Sequence, residues 1–134
     1  MGILEMSAHM TVRPGRLEGF KEQAAELIRI TKEKDTRTLR YDWFLSTDGT
    51  VCEVREAYTC ADGLIEHNIN ILEARTVLFK EYADNHVMTA YGDVSQQVLD
   101  LLRIHAPGFT WFVFLQGLEP LQDISAIARP GIPA

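Results

Sequence analysis

The stretch RYDWFLSTDGTVCEVREAY, residues 40–58, decides the fold because its residues alternate as two strands joined by a tight turn. Asp48-Gly49 between such strands is a strong hairpin signal, since both central residues of a type I′ turn need positive φ. A two-residue turn also fixes which residues pair across the hairpin. The pairs predicted on one face are Thr47 with Thr50, Leu45 with Cys52, Trp43 with Val54, Tyr41 with Glu56, and Leu39 with Tyr58.

That face of the predicted hairpin is aromatic and apolar except for Glu56. A carboxylate inside an apolar stripe must find a partner, stay solvated or take up a proton. The position of Glu56 therefore indicates either a cavity under the hairpin or a strand end that reaches water. On the opposite face Asp42 lies across from Arg55, which predicts a cross-strand ion pair.

The composition fits one domain covering residues 1–134. The chain is 46% hydrophobic, which is enough to bury a core at this length. Its net charge is −6 with acids and bases interspersed, so neither nucleic acid nor an anionic membrane is expected as a partner. Apolar runs such as residues 112–115 are far too short to span a membrane, and Met1 is not followed by a secretory signal. We expect a cytoplasmic protein.

The cysteines and histidines do not form a metal-binding pattern. Cys52 and Cys60 are too few and too irregularly placed for a disulfide framework or a zinc site. His9, His86 and His105 lie in different predicted elements without ligand spacing. No metal site is therefore expected.

Elements on both sides of the hairpin complete an α+β pattern. Strands are predicted at 3–12, 86–91 and 109–116, and helices at 17–34, 61–70, 72–83 and 94–105. The helices at 61–70 and 72–83 are either separated near 69–71 or parts of one bent helix. The order predicts a ferredoxin-like split βαβ fold with an added C-terminal helix and strand.

The last predicted strand, residues 109–116, is apolar on both faces and should be covered on both sides. Helices can cover only one face of a small sheet, so a second copy is the expected cover for the other, and we expect a homodimer. Residues 117–134 form a C-terminal extension. Its end, 129–134, contains two prolines and is predicted to be extended or frayed, or to exchange with the partner.

The chain resembles the antibiotic biosynthesis monooxygenase family, a dimeric α/β-barrel group that includes small quinol monooxygenases. The resemblance is carried by RYDWFLS at 40–46, Asp48-Gly49, VCEVREAY at 51–58, His67-Asn68 and YGDVS at 91–95, and it covers about residues 3–116. It implies oxidation of a small phenolic or quinol-type compound by dioxygen in a pocket between sheet and helices. It also implies that no metal, flavin or other cofactor takes part.

Six candidate site residues follow from the hairpin pattern and this resemblance. They are His67 and Glu56 as catalytic residues, and Tyr41, Trp43, Tyr58 and Asn68 as substrate-binding residues. His67 could act as a general base or donate a hydrogen bond, since imidazole titrates near neutral pH. It could also be a packed helical histidine, and Trp43 and Tyr58 could be ordinary core residues. Glu56 would pair with Tyr41 or His67.

Two other functions compete with that of a monooxygenase. The first is a non-catalytic dimeric module that binds or senses a small molecule. The second is haem binding with degradation, for which His67 is the only suitably placed ligand. The first strand offers Ser7 and His9 where the resemblance to haem-degrading members would imply an asparagine.

Overall fold

The computed structural model describes residues 2–118, which form one five-stranded sheet and three helices. The elements are β1 (Leu4–Val12), α1 (Leu17–Lys34), β2 (Thr38–Leu45), β3 (Val51–Tyr58), α2 (Ala61–Glu81), β4 (Ala83–Gly92), α3 (Gln96–His105) and β5 (Thr110–Phe112). The strand order is β2-β3-β1-β4-β5, with β5 parallel to β4 and all other pairs antiparallel. This arrangement confirms the predicted α+β, ferredoxin-like class with an added helix and strand. The predicted tail at 129–134 lies outside the described residues.

The core lies between the sheet and helices α1 and α2. Alternation along the central strand β1 buries every second side chain, from Leu4 to Val12. Helix α1 turns Phe20 and Leu27 toward this layer, and α2 contributes Leu64, Ile71, Leu78 and other residues at helical spacing. None of the described helices is long and apolar enough to cross a membrane.

The hairpin register is confirmed over its central part. Leu45 lies opposite Cys52, Trp43 opposite Val54 and Tyr41 opposite Glu56. The Leu39–Tyr58 pair is wrong, because the register shifts between Thr38 and Arg40, and Tyr58 lies opposite Thr38. The predicted Asp42–Arg55 ion pair is also wrong. Although the two residues face each other, Asp42 accepts a hydrogen bond from Nε of Arg40 at 2.7 Å.

The connection between β2 and β3 is not a type I′ turn. Gly49 has a φ of 75°, whereas Asp48 does not adopt positive φ. Instead Ser46 and Val51 close a four-residue loop, with the Ser46 amide donating to the Val51 carbonyl at 2.8 Å. The Asp48 carboxylate accepts bonds from the hydroxyls of Ser46 and Thr50 and so stabilises this wider loop. The loop is symmetric about Asp48 and Gly49, so the strand register survives while the Thr47–Thr50 pair is lost.

Helix α2 is continuous from Ala61 to Glu81, which favours a single helix over the break considered near 69–71. The prediction of a strand over 109–116 is wrong in its length, because β5 has three residues, and their side chains are exposed. Residues 113–118 are also exposed, so the described protomer does not cover both faces of this segment. Among the described strands β5 lies at the edge of the sheet next to β4, beyond the layer formed by α1 and α2, which explains the exposure of its side chains.

Candidate active site

A small cavity of about 40 Å³ lies between the hairpin side of the sheet, α2 and α3. Its polar lining consists of Tyr41, Trp43, Glu56, His67, Asn68, Arg75, His86 and His105, and the remaining lining is apolar. The cavity therefore contains five of the six predicted site residues. At this volume it has room for a few water molecules rather than for an aromatic ring.

His67 is held by a buried carboxylate from the loop between α1 and β2. Its Nδ1 lies 2.7 Å from Oδ2 of Asp35, and the two side chains are 3% and 1% exposed. Asp35 also accepts hydrogen bonds from Thr38 at 2.6 Å and Asn70 at 2.8 Å. Burial favours a higher pKa for Asp35, but the bonds from His67, Asn70 and Thr38 outweigh it and hold the pKa below its ordinary value. Asp35 is therefore a carboxylate at neutral pH.

The Asp35 carboxylate fixes the tautomer of His67. A carboxylate only accepts hydrogen bonds, so Nδ1 of His67 carries a proton and donates it. In the neutral imidazole Nε2 is then a free acceptor. Nε2 of His67 is buried and has no hydrogen-bond partner among the described residues, and neither has the buried Nε1–H of Trp43. Both residues line the cavity, which thus offers one unpaired acceptor and one unpaired donor.

Glu56 pairs with Tyr58 rather than with Tyr41 or His67. The Tyr58 hydroxyl donates to Oε1 of Glu56 at 2.5 Å, and both side chains are buried. Burial and the negative charge of Glu56 raise the pKa of Tyr58 well above its usual range. Tyr58 is not among the residues that line the cavity, and it contacts Glu56, which is among them.

Tyr41 packs edge-on against the imidazole. Its ring centroid lies 4.5 Å from that of His67 and 5.7 Å from that of Trp43. Burial, together with the charges of Glu56 and Asp35, raises the pKa of Tyr41 well above its ordinary value. Tyr41 therefore stays protonated and can only donate or accept a hydrogen bond as a neutral phenol.

A basic group at the other end of the cavity was not predicted. Arg75 donates from Nη1 to Nδ1 of His105 at 3.1 Å and from Nη2 to the His105 carbonyl at 3.3 Å. Its guanidinium lies 5.4 Å from the Phe79 ring centroid. Burial lowers the pKa of His86, beside Phe79, to about 4, and the Arg75 charge adds to this effect. His86 is therefore neutral at pH 7.

The two residues missed by the sequence analysis, Asp35 and Arg75, differ in how far the sequence pattern indicates them. Asp35 follows a helix in a polar loop, 32 positions before His67, and only the tertiary fold brings the two together. Arg75 could have been found, because it follows His67 and Ile71 at four-residue steps along the inward side of α2. Within residues 2–118, no cluster of three or more His, Cys, Asp or Glu side chains could hold a metal ion.

The fold is similar to that of solved structures described as antibiotic biosynthesis monooxygenases or cofactor-independent oxygenases. MupZ from Pseudomonas fluorescens is 24% identical, with all of both chains covered and a TM-score of 0.72. A candidate antibiotic biosynthesis monooxygenase from Caulobacter crescentus is 23% identical over 70% of this chain and 92% of its own, with a TM-score of 0.62. SnoaB, a cofactor-independent oxygenase from Streptomyces nogalater, is 12% identical over 72% and 97%, with a TM-score of 0.60. Neither the protein-family models nor the curated proteins give a match to the sequence.

Proposed function

We propose that the protein is a cofactor-independent monooxygenase that oxidises a small phenolic or quinol-type compound in the cavity beside His67. The observation that carries the proposal is the buried Nε2 of His67, which has no hydrogen-bond partner within residues 2–118 while Nδ1 is held by Asp35. An oriented imidazole of this kind is a suitable general base. The fold shared with SnoaB, a cofactor-independent oxygenase, supports the oxidative part.

In the proposed reaction Nε2 of His67 removes the proton from a substrate hydroxyl. The Asp35 carboxylate stabilises the imidazolium that forms, because the pair gains a full charge interaction in a buried site. Dioxygen then takes electrons from the phenolate and bonds to a ring carbon that bears hydrogen. When the O–O bond breaks, one oxygen atom stays in the product as a quinone carbonyl and the other leaves as water. The Trp43 Nε1–H would donate to the substrate oxygen and so hold it near His67.

Binding requires the cavity to widen, since about 40 Å³ does not hold a ring. The wall from α3 consists of Leu101, Leu102 and His105, and this short helix is amphipathic with only Val98 and Leu102 fully buried. We expect α3 to move outward when substrate enters. The same small volume favours the second candidate, a non-catalytic module whose cavity is filled by its own side chains. Haem, which is much larger than a phenol, fits this volume least of all.

Oxygen uptake with a panel of hydroquinones and naphthols tests the proposal. His67→Gln should lower the rate by about 10²- to 10⁴-fold, the usual contribution of a general base. Lys21→Gln is the control, because Lys21 lies on the exposed side of α1 beside Glu18, away from both the cavity and the outer face of the sheet, and should leave the rate unchanged. No uptake across the panel, or equal rates for wild type and His67→Gln, would overturn the proposal. If the substrate is consumed without oxygen uptake, the His67–Asp35 pair would instead catalyse a non-oxidative proton transfer.

We also propose that this single-domain, cytoplasmic protein works as a homodimer joined through the outer face of the sheet. Phe44, Val87, Tyr91 and Phe112 are between 41% and 54% exposed on that face. Sedimentation equilibrium should give twice the chain mass, and Phe112→Glu should shift the equilibrium toward the monomer. A wild-type monomer at micromolar concentration contradicts this assembly.

A further inference from the structure

We propose that Arg75 binds a carboxylate of the substrate, so that the pocket takes a hydroxyaryl acid whose hydroxyl lies at His67 and whose acid group lies at the opposite end. This inference deepens the proposed function and rests on it for the role of His67. It concerns the cationic end of the cavity, where Arg75, His86 and His105 meet.

Arg75 lacks a direct counter-ion among the described residues. The other described arginines without an ion pair, Arg16, Arg37 and Arg55, are exposed to solvent. Arg75 is half-buried, and the hydrogen bonds of its guanidinium to described residues go to Nδ1 and the carbonyl oxygen of His105. A half-buried cation without a paired anion is costly, since desolvation opposes its charge. Burial accordingly lowers the pKa of Arg75, while the more distant charge of Glu56 partly offsets this effect.

The acceptors now facing Arg75 are neutral. Burial and the neighbouring Arg75 charge lower the pKa of His105, so its imidazole is uncharged and Nδ1 accepts a hydrogen bond. A carboxylate would offer two planar oxygen acceptors and a full negative charge to the same guanidinium fork. His105 thus occupies the position that a stronger, anionic acceptor would take.

Helix α2 sets the separation between the two ends of the pocket. His67 and Arg75 both line the cavity and are eight residues apart, which corresponds to about 12 Å along the axis. Ile71 lies between them on α2, and Tyr41 and Trp43 add aromatic surface from the sheet. A hydroxyl and a carboxylate joined through a ring and a short chain suit this layout.

Displacing His105 also explains how the pocket opens. The two bonds from Arg75 to His105 join α2 to the C-terminal end of α3. When a carboxylate takes the Arg75 donors, His105 loses these bonds and α3 is freer to move outward. Substrate recognition and widening of the cavity are then one event.

Calorimetric titration with 3-(4-hydroxyphenyl)propionate and with its neutral amide tests the inference without needing turnover. Wild type should bind the acid about tenfold more tightly than the amide, which corresponds to about 1.4 kcal/mol. Arg75→Met should lose this preference. Arg103→Met is the matched control, because Arg103 is exposed on α3 beside Asp100 and should keep the preference.

His105→Ala supplies a second, independent variant. It removes the imidazole acceptor, although not the backbone carbonyl, and should tighten binding of the acid but not of the amide, even if Arg75→Met fails to fold. Equal affinities in wild type, no binding of either compound at millimolar concentration, or a preference that survives Arg75→Met would overturn the inference, as would unchanged binding of the acid in His105→Ala. Oxygen uptake plays no part in these titrations. If the protein prefers the carboxylate but consumes no oxygen, the monooxygenase proposal is therefore rejected while the Arg75 site is retained.

Discussion

Replacing Asp35 by asparagine tests the centre of the site, because it keeps the shape of the side chain and removes only its charge. Three donors converge on the Asp35 carboxylate, from His67, Thr38 and Asn70. If the side-chain amide of Asn70 flips, exchanging its oxygen and nitrogen, the asparagine of the variant can still accept hydrogen bonds from His67 and Thr38 and donate one to Asn70. The variant therefore loses charge assistance rather than the hydrogen bonds themselves.

The expected loss can be worked out from these contacts. A hydrogen bond to a charged group contributes about 1.5–3 kcal/mol and a neutral one about 0.5–1.5 kcal/mol, so each of the three bonds weakens by about 1 kcal/mol. The free energy of unfolding should fall by about 2–3 kcal/mol at pH 7. Because the folded pKa of Asp35 lies below its unfolded value of about 3.9, its contribution is complete above that pH. The contribution is lost as the pH falls further, so the two proteins should converge in acid.

Urea unfolding of wild type and Asp35→Asn at pH 7 and at intervals down to pH 3 measures both effects. Asp48→Asn is the control, since the Asp48 carboxylate also accepts several hydrogen bonds and has a lowered pKa but is exposed in the hairpin loop. It should change stability far less. The proposed energetics of the His67–Asp35 pair would be refuted if Asp35→Asn lowered the free energy of unfolding by less than about 1 kcal/mol at pH 7. They would also be refuted if the difference between wild type and variant did not shrink in acid.

Three other predictions follow from the same core. Tyr58→Phe leaves buried Glu56 without its donor and should cost about 1–3 kcal/mol at pH 7, whereas adding Glu56→Gln should recover part of the loss in a double-mutant cycle measured by urea unfolding. Cys60 should react with a thiol reagent well before Cys52, whose pKa burial raises to about 11, and Cys60→Ser should abolish the fast phase. The folded pKa of His86, about 4, lies below its unfolded value of about 6.5, so the unfolded chain binds more protons and stability should fall as the pH drops from 6.5 to 4. Unfolding free energies of His86→Asn should show a shallower slope in that range, and an equal slope would contradict the assignment.

The hairpin shows how far local pattern carries a prediction. Alternation and the centre at Asp48-Gly49 were enough to predict the pairing of Leu45, Trp43 and Tyr41, because a shift of one residue would turn the aromatic face to solvent. They could not predict the wider loop, which depends on side-chain hydrogen bonds to Asp48. Likewise the bulge near Thr38 leaves no sign in the alternation.

The candidate site was partly predictable for a related reason. His67 and Glu56 stand out as polar residues within apolar stripes, and the structure places both beside one cavity. Asp35 does not stand out, because a carboxylate in a polar loop is ordinary until the fold buries it against α2. The side chains of β5 are exposed in the protomer, and hydrophobicity indicates that such a surface needs cover but not which chain supplies it.

The unbroken course of α2 has a mechanical consequence. Consecutive hydrogen bonds tie each turn of a regular helix to the next, so an axial displacement at one end is passed to the other with little loss. His67 and Arg75 are carried by this single rod, and no kink between them absorbs strain. Because the helix fixes the spacing of these two backbone positions, a ligand whose hydroxyl and carboxylate are spaced too closely or too far apart cannot contact both side chains at once. The distance between the two groups of the ligand, more than its bulk, should therefore decide whether it binds at both ends.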